Sequence, residues 1–433
     1  MKLRSALLLL LLATAFAQAR KLSPKDLPPS AFKLISVKVT GNQRYSPEDI
    51  TETTGLKLGQ TVSDSDFKTA AQHLGDTGVF SDVAYSFEYS SEGMNVTFQV
   101  TEVANLVPAR FDNIVWFADQ DLVSKLRDRV PLFHGELPIS GNLPDQVSDA
   151  LQALLDERNL QARVDYLRAG KADGPIDSIV YSVKGTDIRI RNVDFSGSAP
   201  EEIDLLRAAA KPMEGSDYLR SILRVQEDKN FLPIYRSRGY LEANFGDAQA
   251  KVVEETPKQT TVDVTFSVTP GLQYKVSGVE LSGQTVFPAD RLQSLLHLPA
   301  GQPANAVRLD EDIQTIRQLY GTKGYMAASL HPAPQMDDQQ ATVKYAIAVH
   351  EGDVYKMGDL NIEGLDKQTT ARVQEAWRLR GGDPYDSSYP KRFLEETARE
   401  IEGMGAWRIS TREALDDKDK VVDVTLRYDP KPR

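Results

Sequence analysis

A repeat with a period near 80 residues constrains this chain most, because it reduces the folding of 433 residues to the folding of one short unit several times over. A glycine turn recurs at Gly59, Gly135, Gly215, Gly301 and Gly382, at intervals of 76, 80, 86 and 81 residues. An apolar residue that opens a new extended stretch recurs at Phe80, Leu160, Tyr240, Tyr325 and Trp407, at intervals of 80, 80, 85 and 82. Upstream of each glycine turn lies a strand-like segment: Ile35 to Asn42, Phe111 to Trp116, Ile190 to Gly197, Val276 to Gly283 and Met357 to Gly364. Four of these reach a glycine, and the second, ending near Ala118-Asp119, is the divergent copy. Each copy closes on an alternating strand, at Val96–Val100, Ile179–Val183, Val262–Val268, Val343–Val349 and Val422–Tyr428.

The order in every copy is therefore strand, helix, helix, strand, strand. A three-stranded alternating sheet has one apolar face, and two amphipathic helices suffice to cover it, so the fold class is α+β with five two-layer modules. The boundaries are 32–103, 106–185 (divergent), 187–270, 272–351 and 353–430. Each inter-helix glycine supplies the left-handed cap of the first helix. Pro233 should interrupt the second helix of the third module by removing a hydrogen bond. Pro131, Pro138 and Pro144 predict a stiff, extended connection between the helices of the second. The links from Val103 to Val107 and from Thr269 to Gln273 are short enough to predict a semi-rigid curved rod.

Residues 1–19 combine a basic start, a Leu/Ala core from Ala6 to Phe16 and an Ala17-Gln18-Ala19 end, the pattern of a cleaved secretory signal, followed by a linker over 20–31. The apolar run is shorter than the roughly 20 residues of a spanning helix. Cysteine is absent, which removes disulfides, thiolate nucleophiles and Cys-bound metals and fits a bacterial periplasm. A net charge of −11 argues against nucleic acid as a partner. The local basic run Ile188-Arg189-Ile190-Arg191 alternates at strand period and reads as the solvated face of a strand.

Catalytic signatures are missing: there is no Gly-x-Ser-x-Gly turn, His-Glu-x-x-His helix, phosphate loop or dinucleotide fingerprint. The histidines, His73, His134, His297, His331 and His350, are scattered, and His297, between Leu296 and Leu298, reads as structural. No catalytic residue, cofactor or metal site is expected.

The five-fold order of elements, the Gly41-Asn42 strand end, the segments Tyr235-Arg236-Ser237-Arg238-Gly239-Tyr240 and Tyr320-Gly321-Thr322-Lys323-Gly324-Tyr325, and the closing strand Val262 to Phe266 together resemble the POTRA modules of outer-membrane protein assembly factors of the BamA and TamA type. The resemblance covers roughly residues 32 to 430. In that family a β-barrel follows the last module, whereas this sequence stops at Pro430-Lys431-Pro432-Arg433, so strand insertion by a barrel is not expected of it. What the resemblance implies is a periplasmic polypeptide-binding scaffold, at or near the periplasmic face of the outer membrane. Its implied partners are an outer-membrane β-barrel protein or assembly machinery, and unfolded outer-membrane proteins.

In such modules the second strand lies at the sheet edge, where an extended segment of another protein can add to it. The edge segments are Asp82 to Glu88, Ala162 to Leu167, Leu241 to Asp247, Met326 to His331 and Arg408 to Arg412. Within them the candidate partner-binding residues are Val83, Tyr85, Phe87, Val164, Tyr166, Leu241, Ala243, Phe245, Met326, Ala328 and Ile409. Two other readings stay open: a structural envelope adaptor that handles no unfolded client, and an exported hydrolase on an unfamiliar scaffold.

Overall fold

The computed structural model describes residues 28–400 and 407–430. The expected signal and most of the linker lie outside them. Five small sheets follow one another, none closed into a barrel.

Module 1 shows the plan: β1 (Leu34–Thr40), α1 (Pro47–Thr54), α2 (Asp64–Asp76), β2 (Phe80–Tyr89) and β3 (Met94–Glu102). The helices start where local chemistry dictates. The Ser46 hydroxyl accepts the Asp49 amide at 3.0 Å, Ser63 and Asp66 form a reciprocal capping box, and Gly55, not the inter-helix Gly59 expected from the sequence, ends α1 in the left-handed conformation. The closing strand β3 takes the centre of the sheet, with β1 parallel on one side and β2 antiparallel on the other. Its Val96, Phe98 and Val100 point into the core against Phe67, Ala70 and Leu74 of α2.

Module 2 comprises β4 (Val107–Phe111), α3 (Asp119–Arg127), β5 (Glu136–Leu137), α4 (Leu143–Asp156), β6 (Arg163–Gly170) and β7 (Ile176–Lys184), and module 3 comprises β8 (Asp187–Ser196), α5 (Pro200–Ala210), α6 (Arg220–Gln226), α7 (Leu232–Arg236), β9 (Asn244–Phe245), β10 (Gln249–Glu255) and β11 (Gln259–Thr269). Modules 4 and 5 return to the simple plan: β12 (Lys275–Ser282), α8 (Ala289–Gln293), α9 (Ala306–Gly321), β13 (Ser329–Asp337) and β14 (Thr342–His350), then β15 (Lys356–Glu363), α10 (Lys367–Ala376), α11 (Tyr389–Glu400), β16 (Trp407–Asp416) and β17 (Val421–Pro430). Modules 2, 4 and 5 repeat the parallel and antiparallel pairings of module 1.

The contacts divide the chain into two compact units: residues up to Ile188 with Val252–Thr261, and Arg189–Lys251 with Val262 onward. Ile188 and Ile190 are buried, while Arg189 and Arg191 pair with Asp217 and Asp263, so this run is the outer face of a strand as read.

Two further expectations need correction, and a third takes a particular form. The opening strand of module 2 is Val107–Phe111 rather than Phe111 to Trp116. Ile114, Val115 and Trp116 fill the core from a turn, which gave them the look of a strand. The connection carrying Pro131 and Pro138 is not extended: buried Val130, Leu132, Phe133 and Leu137 fold it back onto the module, and Pro144 sits in the first turn of α4, where its missing N–H costs nothing. Near Pro233 the second helix of module 3 is interrupted, as expected. A π-turn over Glu227–Phe231 absorbs the proline, which falls at the start of α7.

Candidate peptide-binding edges

With the closing strand central, each sheet has two outer strands, and the inter-helix turn decides which is open. In module 1 the Gly59 amide donates to the Leu34 carbonyl at 2.7 Å, and the Leu34 amide donates to Gln60 at 2.9 Å. Gly215 with Ile190, Gly301 with Val276 and Gly382 with Met357 make the same bond at 2.7, 2.8 and 2.8 Å, and in module 2 β5 pairs directly with β4. These glycines have φ between +79° and +95°, which lets the chain turn back along the first strand. The beginning of the first strand is thus already paired in every module. The second strand is the other outer strand of each sheet, and no inter-helix turn pairs with it.

Register shows what each open edge presents. Val83, Tyr85 and Phe87 oppose Val100, Phe98 and Val96, and the matching positions are Leu330, Pro332 and Pro334 in module 4, opposite Val349, Ile347 and Tyr345. Proline has no N–H to give to the ladder, so Pro332 and Pro334 must occupy positions whose backbone polar groups face away from β14. By the same register, the outward-facing groups of module 1 belong to Val83, Tyr85 and Phe87. Module 1 therefore offers three consecutive outward donors, whereas in module 4 two of the three are absent.

The side chains beside these edges differ as sharply. Half-buried Tyr85 and Phe87 and exposed Tyr89 form an aromatic strip with Phe67 and Phe32, with ring centroids 5.2 Å apart for Phe67–Phe87, 5.5 Å for Phe87–Tyr89 and 5.8 Å for Phe32–Tyr89. The Tyr85 hydroxyl donates to Asp64 at 2.9 Å and fixes the strand against the start of α2. Module 2 places Val164, Tyr166 and Arg168 at the equivalent positions. There Arg168 lies over the Tyr166 ring and donates to the Ile139 carbonyl at 3.0 Å, closing the space beside the strand. Module 5 carries Ile409, Thr411 and Glu413.

Four candidates sit elsewhere than expected. Leu241 and Ala243 precede β9, and Met326 and Ala328 precede β13. Leu241 packs against the core of module 4 and Met326 against that of module 5, so both are joint residues between modules. Phe245 does lie on a strand, but a two-residue one: the second strand of module 3 is split into β9 and β10, and a cavity opens at the break.

Sequence reading missed the blunting prolines, although His331-Pro332-Ala333-Pro334 announces them. It also missed two carboxylate clamps. Glu102 accepts the Gln43 and Arg44 amides at 2.6 and 3.0 Å, and Glu351 accepts the Thr285 and Val286 amides at 2.7 and 2.9 Å and the Tyr320 hydroxyl at 2.8 Å. Each stands two residues beyond the last inward valine of its closing strand. Burial alone would raise the Glu351 carboxyl, but the Thr285 hydroxyl, these amides and Tyr320 outweigh it and hold it at about 2. His297 has the structural role read for it: the buried Asp312 carboxylate accepts its amide at 2.6 Å and contacts its Nδ1 at 2.8 Å.

Among the described residues no group of three or more His, Asp or Glu side chains is placed to hold a metal ion, and no helix is long and apolar enough to cross a membrane.

Comparison with known proteins agrees with this architecture. The POTRA family model, described as a surface antigen variable number repeat, matches residues 32–103 and 274–352, which are modules 1 and 4. The outer membrane protein assembly factor BamA of Neisseria meningitidis is 20% identical over 374 residues, covering 84% of this chain and 46% of that protein. A putative outer membrane protein assembly factor of Treponema pallidum is 25% identical over 210 residues, covering 47% of this chain and 25% of that protein. The chain spans less than half the length of both relatives. Among solved structures, POTRA3-5 of Haemophilus influenzae BamA is 18% identical, with a TM-score of 0.42, covering 56% of this chain and 96% of that one. Two of the five repeated units match the POTRA family model, and along most of its length the chain is similar to an outer-membrane protein assembly factor.

Proposed function

We propose that the chain is a periplasmic polypeptide-binding scaffold serving outer-membrane protein assembly or secretion, taking extended segments of its partners by strand addition at second-strand edges. The relatives are named for outer-membrane protein assembly. The observation that carries the reading is the asymmetry of the sheets. The start of each first strand is engaged by its own inter-helix turn, and in module 1 the second-strand edge runs bare beside the strip of Tyr85, Phe87 and Tyr89. Unpaired strand edges bind extended segments through backbone hydrogen bonds, with alternate side chains seated in the neighbouring groove. Among the edge candidates, Val83, Tyr85 and Phe87 are the favoured contacts, followed by Phe245 and Ile409, and the implied partners are outer-membrane β-barrel proteins in folded or unfolded form.

The test is amide hydrogen exchange on the full chain with and without an alternating apolar-polar peptide of about ten residues. Protection is expected at Val83, Tyr85 and Phe87 and not at His331 to Gln335. No protection in module 1, or equal protection in module 4, would sink the proposal.

A further inference from the structure

The open edge of module 3 is interrupted where those of the other modules are continuous. β9 pairs with β11 only at Phe245↔Val268 and Asn244↔Thr269, the Gly246 amide still donates to the Ser267 carbonyl at 2.9 Å, and the chain then runs through Asp247 and Ala248 before β10 resumes. A side chain at Gly246 would come within 2.4 Å of the Ser267 hydroxyl, so the chain passes close to the sheet there. Across the gap, α6 runs into the π-turn that absorbs Pro233. Between strand and helix lies a cavity of about 280 Å³, lined by Leu223, Phe245 and Phe266 and walled by charged side chains.

Those charges do not balance. Arg224 pairs with Asp247 at 3.2 Å, and Arg220 donates to the Tyr218 hydroxyl at 3.3 Å. Glu227 and Asp228 line the same cavity with no cation within ion-pair distance among the described residues. Burial, and then the adjacent Asp228, pushes the Glu227 carboxyl above its ordinary range against the smaller opposing pull of Arg224.

We propose that this gap is a subsite for a lysine or arginine side chain of the extended segment that adds to module 3, its cationic end meeting Glu227 and Asp228 and its stem lying along Phe245 and Phe266. The inference rests on the strand-addition reading and gives it a selectivity: client segments with a basic residue at one register position are preferred. The apolar lining suits the stem of a long basic side chain, and the unpaired carboxylates suit its tip.

The experiment uses the full chain and three alternating peptides of about ten residues that differ only in a central Lys, Gln or Glu, with affinity read by fluorescence anisotropy and location by amide protection over Asn244 to Lys251. The Lys peptide is expected to bind about fivefold more tightly than the Gln peptide, the size of one partly exposed ion pair. Glu227→Gln with Asp228→Asn should remove that advantage, leaving the Lys and Gln peptides with equal affinity. Glu227→Lys should transfer the preference to the Glu peptide, which a merely structural role for Glu227 would not do. An equal affinity for Lys and Gln peptides, or a Lys advantage that survives the double variant as plain attraction to an acidic chain, overturns the subsite alone. If even the Gln peptide leaves module 3 unprotected, strand addition at this edge fails and the subsite with it.

Discussion

At the scale of single residues, the repeat is enforced by one close approach. Gly41, Gly197, Gly283 and Gly364 leave the first strand with φ between +82° and +87°, and an added Cβ would lie 2.2, 2.3, 2.4 and 2.1 Å from the carbonyl oxygens of Val100, Val268, Val349 and Tyr428. These glycines were conspicuous in the sequence, but the reason for them was not, since it involves a strand some 60 to 70 residues away. Module 2 solves the problem differently. Asn113 stands at this position, and its amide donates to the Val183 carbonyl at 2.9 Å and accepts the Val183 N–H at 2.7 Å. The divergence noted in the sequence is thus a substitution of side-chain for backbone chemistry. Gly283→Ala should cost about 2–4 kcal/mol, combining left-handed strain with a backbone clash. Gly301→Ala, with φ +82° and open space around its Cβ, should cost only about 1 kcal/mol, and urea unfolding of the two variants tests the contrast.

The Glu351 clamp makes a prediction about pH. Its folded carboxyl titrates at about 2 against an ordinary 4.5, so its contribution is fully present above about 4.5 and is lost as pH falls toward 2. Discounted for partial solvent screening, that contribution is about 1–2 kcal/mol. Glu351→Gln should therefore be less stable than the parent near neutrality, and the gap should close as the pH drops from 4.5 to 2. A gap that stays constant across that range would show that the carboxylate's charge is not what holds Thr285 and Val286.

At the scale of elements, the closing strands were the most legible feature, because alternation and burial coincide in them: Val343, Tyr345, Ile347 and Val349 all point inward. The segments after the second helix were the least. Leu241 and Met326 are apolar and follow a helix, as a strand's first residues would, yet they are spent on the neighbouring module's core. Local pattern cannot distinguish burial in one's own core from burial in the next. The open edges fall between these extremes: their place was readable, but their competence depends on outward donors that only register reveals. Replacing Pro332 and Pro334 with threonine should restore two donors and make module 4 take up the alternating peptide, at a cost of about 0.5–1 kcal/mol in stability. Peptide-dependent exchange protection appearing in β13 of the double variant, and not in the parent, is the expected result. If the variant's edge remains unprotected, missing donors are not what keeps module 4 closed.

At the scale of the molecule, the unit that contains modules 4 and 5 and most of module 3 repeats its joints as faithfully as its folds. The carbonyl of Gly239 accepts the Tyr274 amide at 2.8 Å, and that of Gly324 accepts the Tyr355 amide at 2.8 Å. Both glycines have φ near +90°, and an added Cβ would stand 2.5 Å from the Tyr274 carbonyl oxygen and 2.7 Å from that of Tyr355. Leu241 and Met326 then insert into the following cores, and the Tyr274 hydroxyl bridges Glu242 of module 3 to Asp338 of module 4 at 3.0 and 2.7 Å. A module of about 80 residues is marginally stable alone, so a joint that buries side chains in its neighbour should couple their unfolding. Trp377 and Trp407 lie in module 5, and replacing Trp116 with phenylalanine leaves fluorescence reporting on that module alone. In this background the tryptophan transition in urea should coincide with the main transition of modules 3 to 5 seen by circular dichroism. Gly324→Ala should split them, moving the tryptophan transition to lower urea by about 2–3 kcal/mol while module 4 keeps more of its stability through its joint with module 3. Were the two signals to shift together, the Gly324 joint would not be what couples module 5 to module 4, and the array would owe its cooperativity to contacts other than the repeated glycine and tyrosine.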